Sequence, residues 1–288
     1  MRLVDHLRDL GLSGREARAA LTRGKVWYRD APTCDPIREV EPALVRYRPQ
    51  APNITVGRDP AIVYKDAALV VVWKPAGLLS VPAVGRSQAA NLIEVVSGLL
   101  HQQLFAVHRL DELTSGLMVI ARTAAIQERM RSMFAAHELE RRYLAIVKGI
   151  FPTKPMTLRS VIVRNRGDGL RGRADEDSDP EDPTGREAVT HVKLVEQLGS
   201  QAALVEAQLE TGRTHQVRIH LAELGHPVLG DSLYGGHGVG RTMPRYALHA
   251  TVLGLAHPVT SEALRFESPL ADDLEKYVRN MRRRQIVC

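Results

Sequence analysis

The sequence predicts two parts, a small front unit and a larger body of mixed strands and helices. Its 288 residues amount to about two domains at ~150 residues each. Pro49, Pro52, Gly57 and Pro60 stand among few apolar residues, a linker composition that sets the domains at 1–50 and 61–288 with 51–60 between them. Beyond that break, apolar runs of strand length alternate with segments whose apolar residues recur at helical spacing.

In the front unit, Leu3, Leu7 and Leu10 have helical spacing and Gly11 follows as a stop. Ser13 and Glu16 form a capping-box pattern before a helix that carries Ala17, Ala20 and Leu21 on one face and ends at Gly24. Val26 to Tyr28 and Ala43 to Tyr47 read as short strands around a proline-containing stretch at 31–36. In the larger part, Ala61–Val63 and Leu69–Lys74 are strands, and Pro75-Ala76-Gly77 closes the second. Leu92, Val95, Val96, Leu99 and Leu100 mark a helix within 90–103. Phe105–Val107 and Leu117–Ala121 are strands, and Thr123 caps a helix running to about Glu138, with Met130 and Met133 in the core. Tyr143–Val147, Val189–Val195 and Ala203–Leu209 are further strands, with a polar surface loop at 164–187 before the second of them. Thr214 to Leu224 fits either strand alternation or helical spacing. Thr214 as cap and Gly225 with Pro227 as stop decide it as helix. A last helix spans Asp272–Arg284 with acids in its first turn and Leu274, Tyr277, Val278 and Met281 inward.

Composition narrows the function. Hydrophobic residues at 44% and charged residues at 25% suit a soluble globular chain. The longest apolar run, Ala67 to Trp73, is far short of the ~18 residues of a membrane helix. The N-terminus reaches Asp5 without a signal-peptide core, so a cytoplasmic protein without a membrane partner is expected. Cys34 and Cys288 lie at opposite ends and provide neither a metal cluster nor a disulfide framework. The net charge of +6 understates the basic character: residues 175–182 hold six acids, and the rest of the chain carries +12. Such an excess favours polyanionic partners through counterion release.

Two segments are polar where neither helix nor strand packing requires it. One is Val107-His108-Arg109-Leu110-Asp111-Glu112-Leu113-Thr114-Ser115-Gly116; the other runs from Leu209 to His220. A buried carboxylate beside a guanidinium stays ionised and can act as nucleophile or base, although a structural Asp–Arg salt bridge has the same residues.

The motifs weigh on that choice. HRLDELTSG at 108–116 resembles, without departure, the HRLDxxTSG signature of the RluA-type pseudouridine synthases. Lys74 to Pro82 resembles the family's NKPxGLxxxP stretch, with Trp73 where Asn is usual. Arg141 to Gly149 resembles KxYxAxVxG, with Arg141 in place of Lys. Thr211 to Gly235 matches the longest family block, and Leu248-His249-Ala250 with His257-Pro258 fits its C-terminal pattern. The front unit, with Gly24-Lys25-Val26 at its turn and Arg15, Arg18, Arg23, Lys25 and Arg29 clustered, resembles the S4 RNA-binding domain.

The resemblance implies an α+β fold: a catalytic domain on a large mixed, mostly antiparallel sheet, plus a small N-terminal α/β S4-like domain. It implies isomerisation of uridine to pseudouridine in structured RNA, with neither cofactor nor metal. Ribosomal RNA is the first expectation, tRNA the runner-up, and a non-catalytic RNA-binding or ribosome-assembly protein the reading from another class. Asp111 matches the essential aspartate, which attacks the nucleotide or takes a ribose proton. Arg218 matches the basic residue that pairs with it, and Tyr143 the tyrosine that packs on the uracil. Arg109 resembles the residue that replaces the flipped-out base in the stack. His108, Thr114, Arg213 and His215 are further candidates for shaping the pocket or holding phosphate and 2′-OH, and Arg15, Arg18 and Lys25 for RNA contact in the front unit. A monomer is expected.

Other motifs carry less. His215 and His220, five apart, point about 140° from each other on a helix, so a shared metal is not expected. Gly235 to Gly240 lacks the Lys-Ser/Thr ending of a phosphate loop and reads as a surface loop. Ser115 is not in a nucleophile elbow. Trp27 and Trp73 are expected in the core or at an interface.

Overall fold

A computed structural model of the chain describes residues 1–22, 25–28, 31–32, 39–49, 60–82, 91–166, 170–173, 185–235, 239 and 243–286, excluding the side chains of residues 18, 19, 22, 27, 31, 32, 285 and 286. The linker 51–59, the six acids of 175–182, both cysteines, Gly24, the side chain of Trp27 and most of 236–240 lie outside the described residues.

The front unit begins with α1 (Leu3–Asp9) and α2 (Gly14–Thr22). The capping box forms as the sequence predicts: the Ser13 backbone N–H donates to Glu16 Oε2 at 2.9 Å, and the Glu16 N–H to Ser13 Oγ at 3.3 Å. β1 (Val26–Tyr28) lies between β2 (Ala31–Pro32) and β3 (Val45–Tyr47), both antiparallel to it. Leu3, Leu7, Ala17, Leu21 and Val26 form a core separate from those of the larger part. The strand expected from Ala43 starts two residues later, because Pro42 opens a 3₁₀ turn over Pro42–Leu44.

The larger part is organised on one 11-stranded sheet. Its elements are β4 (Ala61–Lys65), β5 (Leu69–Lys74), α3 (Leu92–Leu100), β6 (Phe105–Ala106), β7 (Ser115–Ala121) and α4 (Ala124–Ala135), then β8 (Glu140–Lys148), β9 (Met156–Val163), β10 (Gly172–Arg173), β11 (Arg186–Leu198) and β12 (Ala202–Leu209). After them come α5 (Gln216–Glu223), β13 (Leu248–Ala256), β14 (Ala263–Glu267) and α6 (Asp272–Ile286). The order across the sheet is β10-β9-β11-β12-β8-β13-β7-β5-β4, with β14 on β13 and β6 on β7. Among these pairs only β7 with β13 is parallel, so the sheet is mixed and mostly antiparallel as expected.

β7 is buried along its whole length because both faces are covered. Leu117 and Val119 meet Met130 and Met133 of α4 on one side, and Met118 and Ile120 meet Leu92 and Val96 of α3 on the other. Asn91 caps α3 by accepting the Glu94 N–H at 3.1 Å, and Thr123 caps α4 by accepting the Ile126 N–H at 3.2 Å. A third cluster joins β8, β11 and β12 to Val217 and Leu221 of α5 and to Leu274 and Val278 of α6.

The structure corrects several boundaries. α4 ends at Ala135 rather than near Glu138, and His137 just beyond it has φ +60°, which a helix cannot continue through. Residues 164–187 are not one surface loop: Gly172–Arg173 pairs with Val163 and Ile162 of β9, and β11 already begins at Arg186. Thr214 is not the cap of α5. His215 occupies that position at φ +63° with no side-chain capping bond, and the Gln216 amide instead accepts the Arg213 N–H at 2.9 Å and donates to the Val189 carbonyl at 3.0 Å. β9, β13 and β14 have no counterpart in the sequence reading.

Candidate active site

The signature loop is held from three sides before any catalytic group is considered. Lys74, fully buried at the end of β5, donates from Nζ to the carbonyls of Pro75, Leu78 and Glu112 at 2.9, 2.8 and 3.0 Å. Ser80 Oγ donates to the Leu110 carbonyl at 2.6 Å and accepts the Leu110 N–H at 3.0 Å. From the far side, Arg245 Nη1 donates to the Leu113 carbonyl at 3.1 Å, and the Tyr246 hydroxyl accepts the Leu113 N–H at 3.2 Å. Three backbone carbonyls thus accept from the buried ammonium, so the KPAG stretch acts as a staple on the loop.

Gly116 follows the loop at φ +117°, where β7 meets β13 so closely that a Cβ would stand 2.1 Å from the Ala250 carbonyl oxygen. The crossing is also tied by Ser115 Oγ, 2.9 Å from His249 Nδ1. Burial, then Arg245, pushes His249 down to about 3, so it serves there as a neutral ring.

This scaffold sets Asp111 opposite α5. Arg218 Nη1 donates to Asp111 Oδ2 at 3.1 Å, while its Nε and Nη2 grip both oxygens of Asp231 at 2.6 and 2.9 Å. The guanidinium lies 4.1 Å from the Tyr246 ring centre and 5.0 Å from that of Tyr234. Burial opposes its charge, but Tyr246, Asp231 and Asp111 together outweigh that and raise its affinity for the proton. Asp231 is itself fixed by the N–H groups of Leu233 and Tyr234 at 3.0 and 3.2 Å. Arg218 is therefore clamped so that one nitrogen faces the loop carboxylate.

Tyr143, on β8, lines the same small pocket of about 50 Å³, together with Arg109, Thr114, Arg213 and His215. Burial, and after it the nearby Asp111 against the pull of Arg141, raises the Tyr143 phenol, which stays protonated at neutral pH. His215 Nε2 is 3.8 Å from Asp111 Oδ1, and its Nδ1 is 2.8 Å from the Tyr234 hydroxyl. Burial pushes it down to about 4, so at neutral pH it faces Asp111 uncharged. The pocket is thus an anion beside a firmly held cation, closed by neutral rings.

The structure brings together Asp111, Tyr143, Arg218, Arg109, Thr114, Arg213 and His215. It sets His108 outside the pocket around Asp111, in the wall of an adjoining hollow that also contains Arg109, Tyr143 and Arg213. That ring stacks on Phe134 at 4.8 Å, its Nε2 accepts the Val119 N–H at 3.1 Å, and burial lowers it to about 3. It ties the loop to β7 rather than shaping the pocket. Arg15 is exposed on α2, Lys25 is half-buried before β1, and the side chain of Arg18 lies outside the described residues. The sequence reading assigned no role to Asp231, Tyr246 or Arg245. Asp231 stood inside a matched block, and the signal for it was an acid among apolar residues; nothing in the sequence marked Arg245. Among the described residues no cluster of His, Cys, Asp or Glu could hold a metal, and no helix is long and apolar enough to cross a membrane.

A mixed, mostly antiparallel sheet thus holds an Asp–Arg pair beside the partly buried Tyr143, with Arg109 and Arg213 lining the same pocket. Residues 68–223 match the family described as RNA pseudouridylate synthase, and the chain belongs to that family. It is 37% identical over 233 residues to the ribosomal large subunit pseudouridine synthase D of Xylella fastidiosa, and 36% identical over 241 residues to that of Xanthomonas campestris. It is also 36% identical over 226 residues to an uncharacterised RNA pseudouridine synthase of Bacillus subtilis. These matches cover 74%, 77% and 76% of this chain and 66%, 69% and 71% of those proteins, so the matched region spans about two thirds of its relatives' length. Among solved structures, human RNA pseudouridylate synthase domain containing 1 shares the fold, with a TM-score of 0.61 at 24% identity over 77% of this chain and 94% of that one.

Proposed function

We propose that the chain converts uridine to pseudouridine in ribosomal RNA, with Asp111 as the essential catalytic residue. The observation that carries this reading is the clamp Asp231–Arg218–Asp111 beneath Tyr143, in a pocket that opens among arginines. In the reaction the N1–C1′ bond breaks, the uracil turns, a C5–C1′ bond forms, and the ring loses its C5 proton and gains one at N1, so the product is an isomer of the substrate. Asp111 serves either route open to it, attack on the nucleotide or removal of a ribose proton, because both need an aimed carboxylate shielded from water. Arg218 supplies the aim. Tyr143 packs on the uracil and, as a protonated phenol, is placed beside the C5 proton's path. Arg109, exposed at the rim, takes the place of the flipped base in the stack.

The relatives named for the large ribosomal subunit favour ribosomal over transfer RNA. In this reading residues 1–50 form an S4-like RNA-holding domain using Arg15, Arg18 and Lys25, 51–60 a linker, and 61–288 the catalytic domain. The protein works as a cytoplasmic monomer without a cofactor. Carbodiimide mapping of ribosomal and transfer RNA, from cells with the gene, without it, and complemented with Asp111→Ala, tests the proposal. A ribosomal pseudouridine that disappears with the gene and is not restored by the variant is expected. An unchanged map, or full restoration by Asp111→Ala, refutes it.

A further inference from the structure

Beside the catalytic pocket lies a larger hollow of about 470 Å³, and the two share Arg109, Tyr143, Leu209 and Arg213 as walls. In the hollow stands Arg141 of β8, two residues before Tyr143 and only 8% exposed. Its Nη2 donates to the Glu210 carbonyl at 2.7 Å and its guanidinium lies 5.5 Å from the Phe134 ring centre, but its buried Nε has no partner among the described residues. The Glu210 carboxylate bonds His191 Nε2 at 2.6 Å, and no ion pair to Arg141 is found among the described residues. No carboxylate stands among the described residues lining the hollow, while Arg109 and Arg213 do.

A buried guanidinium with no anion beside it is a costly arrangement, because burial removes its hydration without supplying a counter-charge. Burial, with Arg213 adding to it and Tyr143 opposing it, already lowers the hold of Arg141 on its proton. The surroundings nonetheless keep this side chain in place. Gly212 leaves room for it: a Cβ there would stand 2.5 Å from Arg141 Nη1. His108 at the same wall is neutral and adds no competing charge.

The geometry points to a phosphodiester subsite: Arg141, with Arg213 at the rim, holds the RNA backbone phosphate adjoining the uridine seated at Asp111. A phosphate supplies the missing anion, accepts from Nε, and fits a hollow that opens directly onto the catalytic pocket. The inference deepens the reading of this site as a pseudouridine synthase centre and rests on it.

Binding to a large-subunit ribosomal RNA transcript is measured against KCl concentration for an Asp111→Ala parent, which binds without turnover. The same parent then carries Arg141→Gln, Arg141→Met or Arg141→Lys. Gln and Met are expected to weaken binding roughly ten-fold and to reduce the slope of log K against log salt by about 1, while Lys restores the slope. Using two neutral variants protects the test against one that does not fold, and thermal unfolding identifies it. An unchanged slope in a folded neutral variant overturns the subsite, as does a loss that Lys fails to restore. Stabilisation by millimolar inorganic phosphate that disappears in Arg141→Gln without any slope change reassigns the hollow to a free anion, and also overturns it. A parent that does not bind the RNA at all overturns the proposed function instead.

Discussion

Replacing Asp111 by Ala removes the carboxylate that Arg218 holds at 3.1 Å, and pseudouridine formation is expected to be abolished with RNA affinity close to the parent's. A tritium-release assay on C5-labelled RNA, paired with a filter-binding titration, checks both halves. Asp231 makes a separate prediction. It takes two of the Arg218 donors and fixes where the third points. Asp231→Asn keeps the shape and removes the charge, a loss of about 1.5–3 kcal/mol in hydrogen bonding to a charged group. The expectation is a kcat lowered about 10- to 100-fold with KM nearly unchanged; a raised KM at full kcat would mean that Asp231 serves binding rather than aim. These residues also show what the sequence reveals. Asp111, Tyr143 and Arg218 are legible because each sits in a spaced motif. Asp231 and Tyr246 are not, because the fold alone carries a loop thirteen residues downstream back beneath the Arg218 side chain.

Strands and helices were legible where period and punctuation agreed. Ser13, backed by Glu16, and Thr123 each sit one residue before the helix they were expected to cap, and α2 and α4 form there, while α3 was legible from its apolar spacing alone and its Asn91 cap went unread. β9 escaped because Ser160 interrupts the apolar side formed by Met156, Leu158 and Ile162, while the apolar Val161 stands exposed on the other side, which breaks the alternation that marks a strand. α5 was found but its start was not, since His215 in the left-handed region holds the cap position without a side-chain bond, and the Gln216 amide ties the helix start to Arg213 and Val189 instead. Two glycines separate element-level constraint from tolerance. At Gly116 the β7–β13 crossing forbids a Cβ, so Gly116→Ala is expected to destabilise by about 3 kcal/mol and to disturb the adjoining catalytic loop. Gly98 is exposed within α3 with nothing within 4 Å of a Cβ, so Gly98→Ala is expected to stabilise by about 0.5 kcal/mol. Chemical denaturation of both variants gives the two signs in one experiment.

At the scale of the whole molecule, four histidines among the described residues are held neutral inside the larger part. Burial pushes His108 and His249 down to about 3, and His215 and His220 down to about 4, from 6.5. Each is tied into a different joint: His108 to β7, His249 to Ser115 and Ser268, His215 to Tyr234, and His220 to Thr190 and Ser160. The unfolded chain binds these protons near pH 6.5 and the folded chain only near pH 3–4, so in between the unfolded state carries more protons. Stability from these groups is therefore complete above pH 6.5 and is lost progressively as the pH falls toward 4. At pH 5 each histidine accounts for a loss of up to about 2 kcal/mol, since one unit of pKa difference is worth about 1.4 kcal/mol. Paired carboxylates such as Asp273, held low by Arg245 against the cost of burial, are lost only at still lower pH and do not contribute to this window. Urea unfolding at pH 7, 6 and 5 is expected to show a steep fall beginning near pH 6.5. His220→Gln, which keeps a hydrogen-bonding side chain between Thr190 and Ser160 but cannot titrate, is expected to reduce that slope by about one proton. A flat profile down to pH 5 would mean that these rings are wetter, and less firmly built into the joints around Asp111, than their contacts indicate.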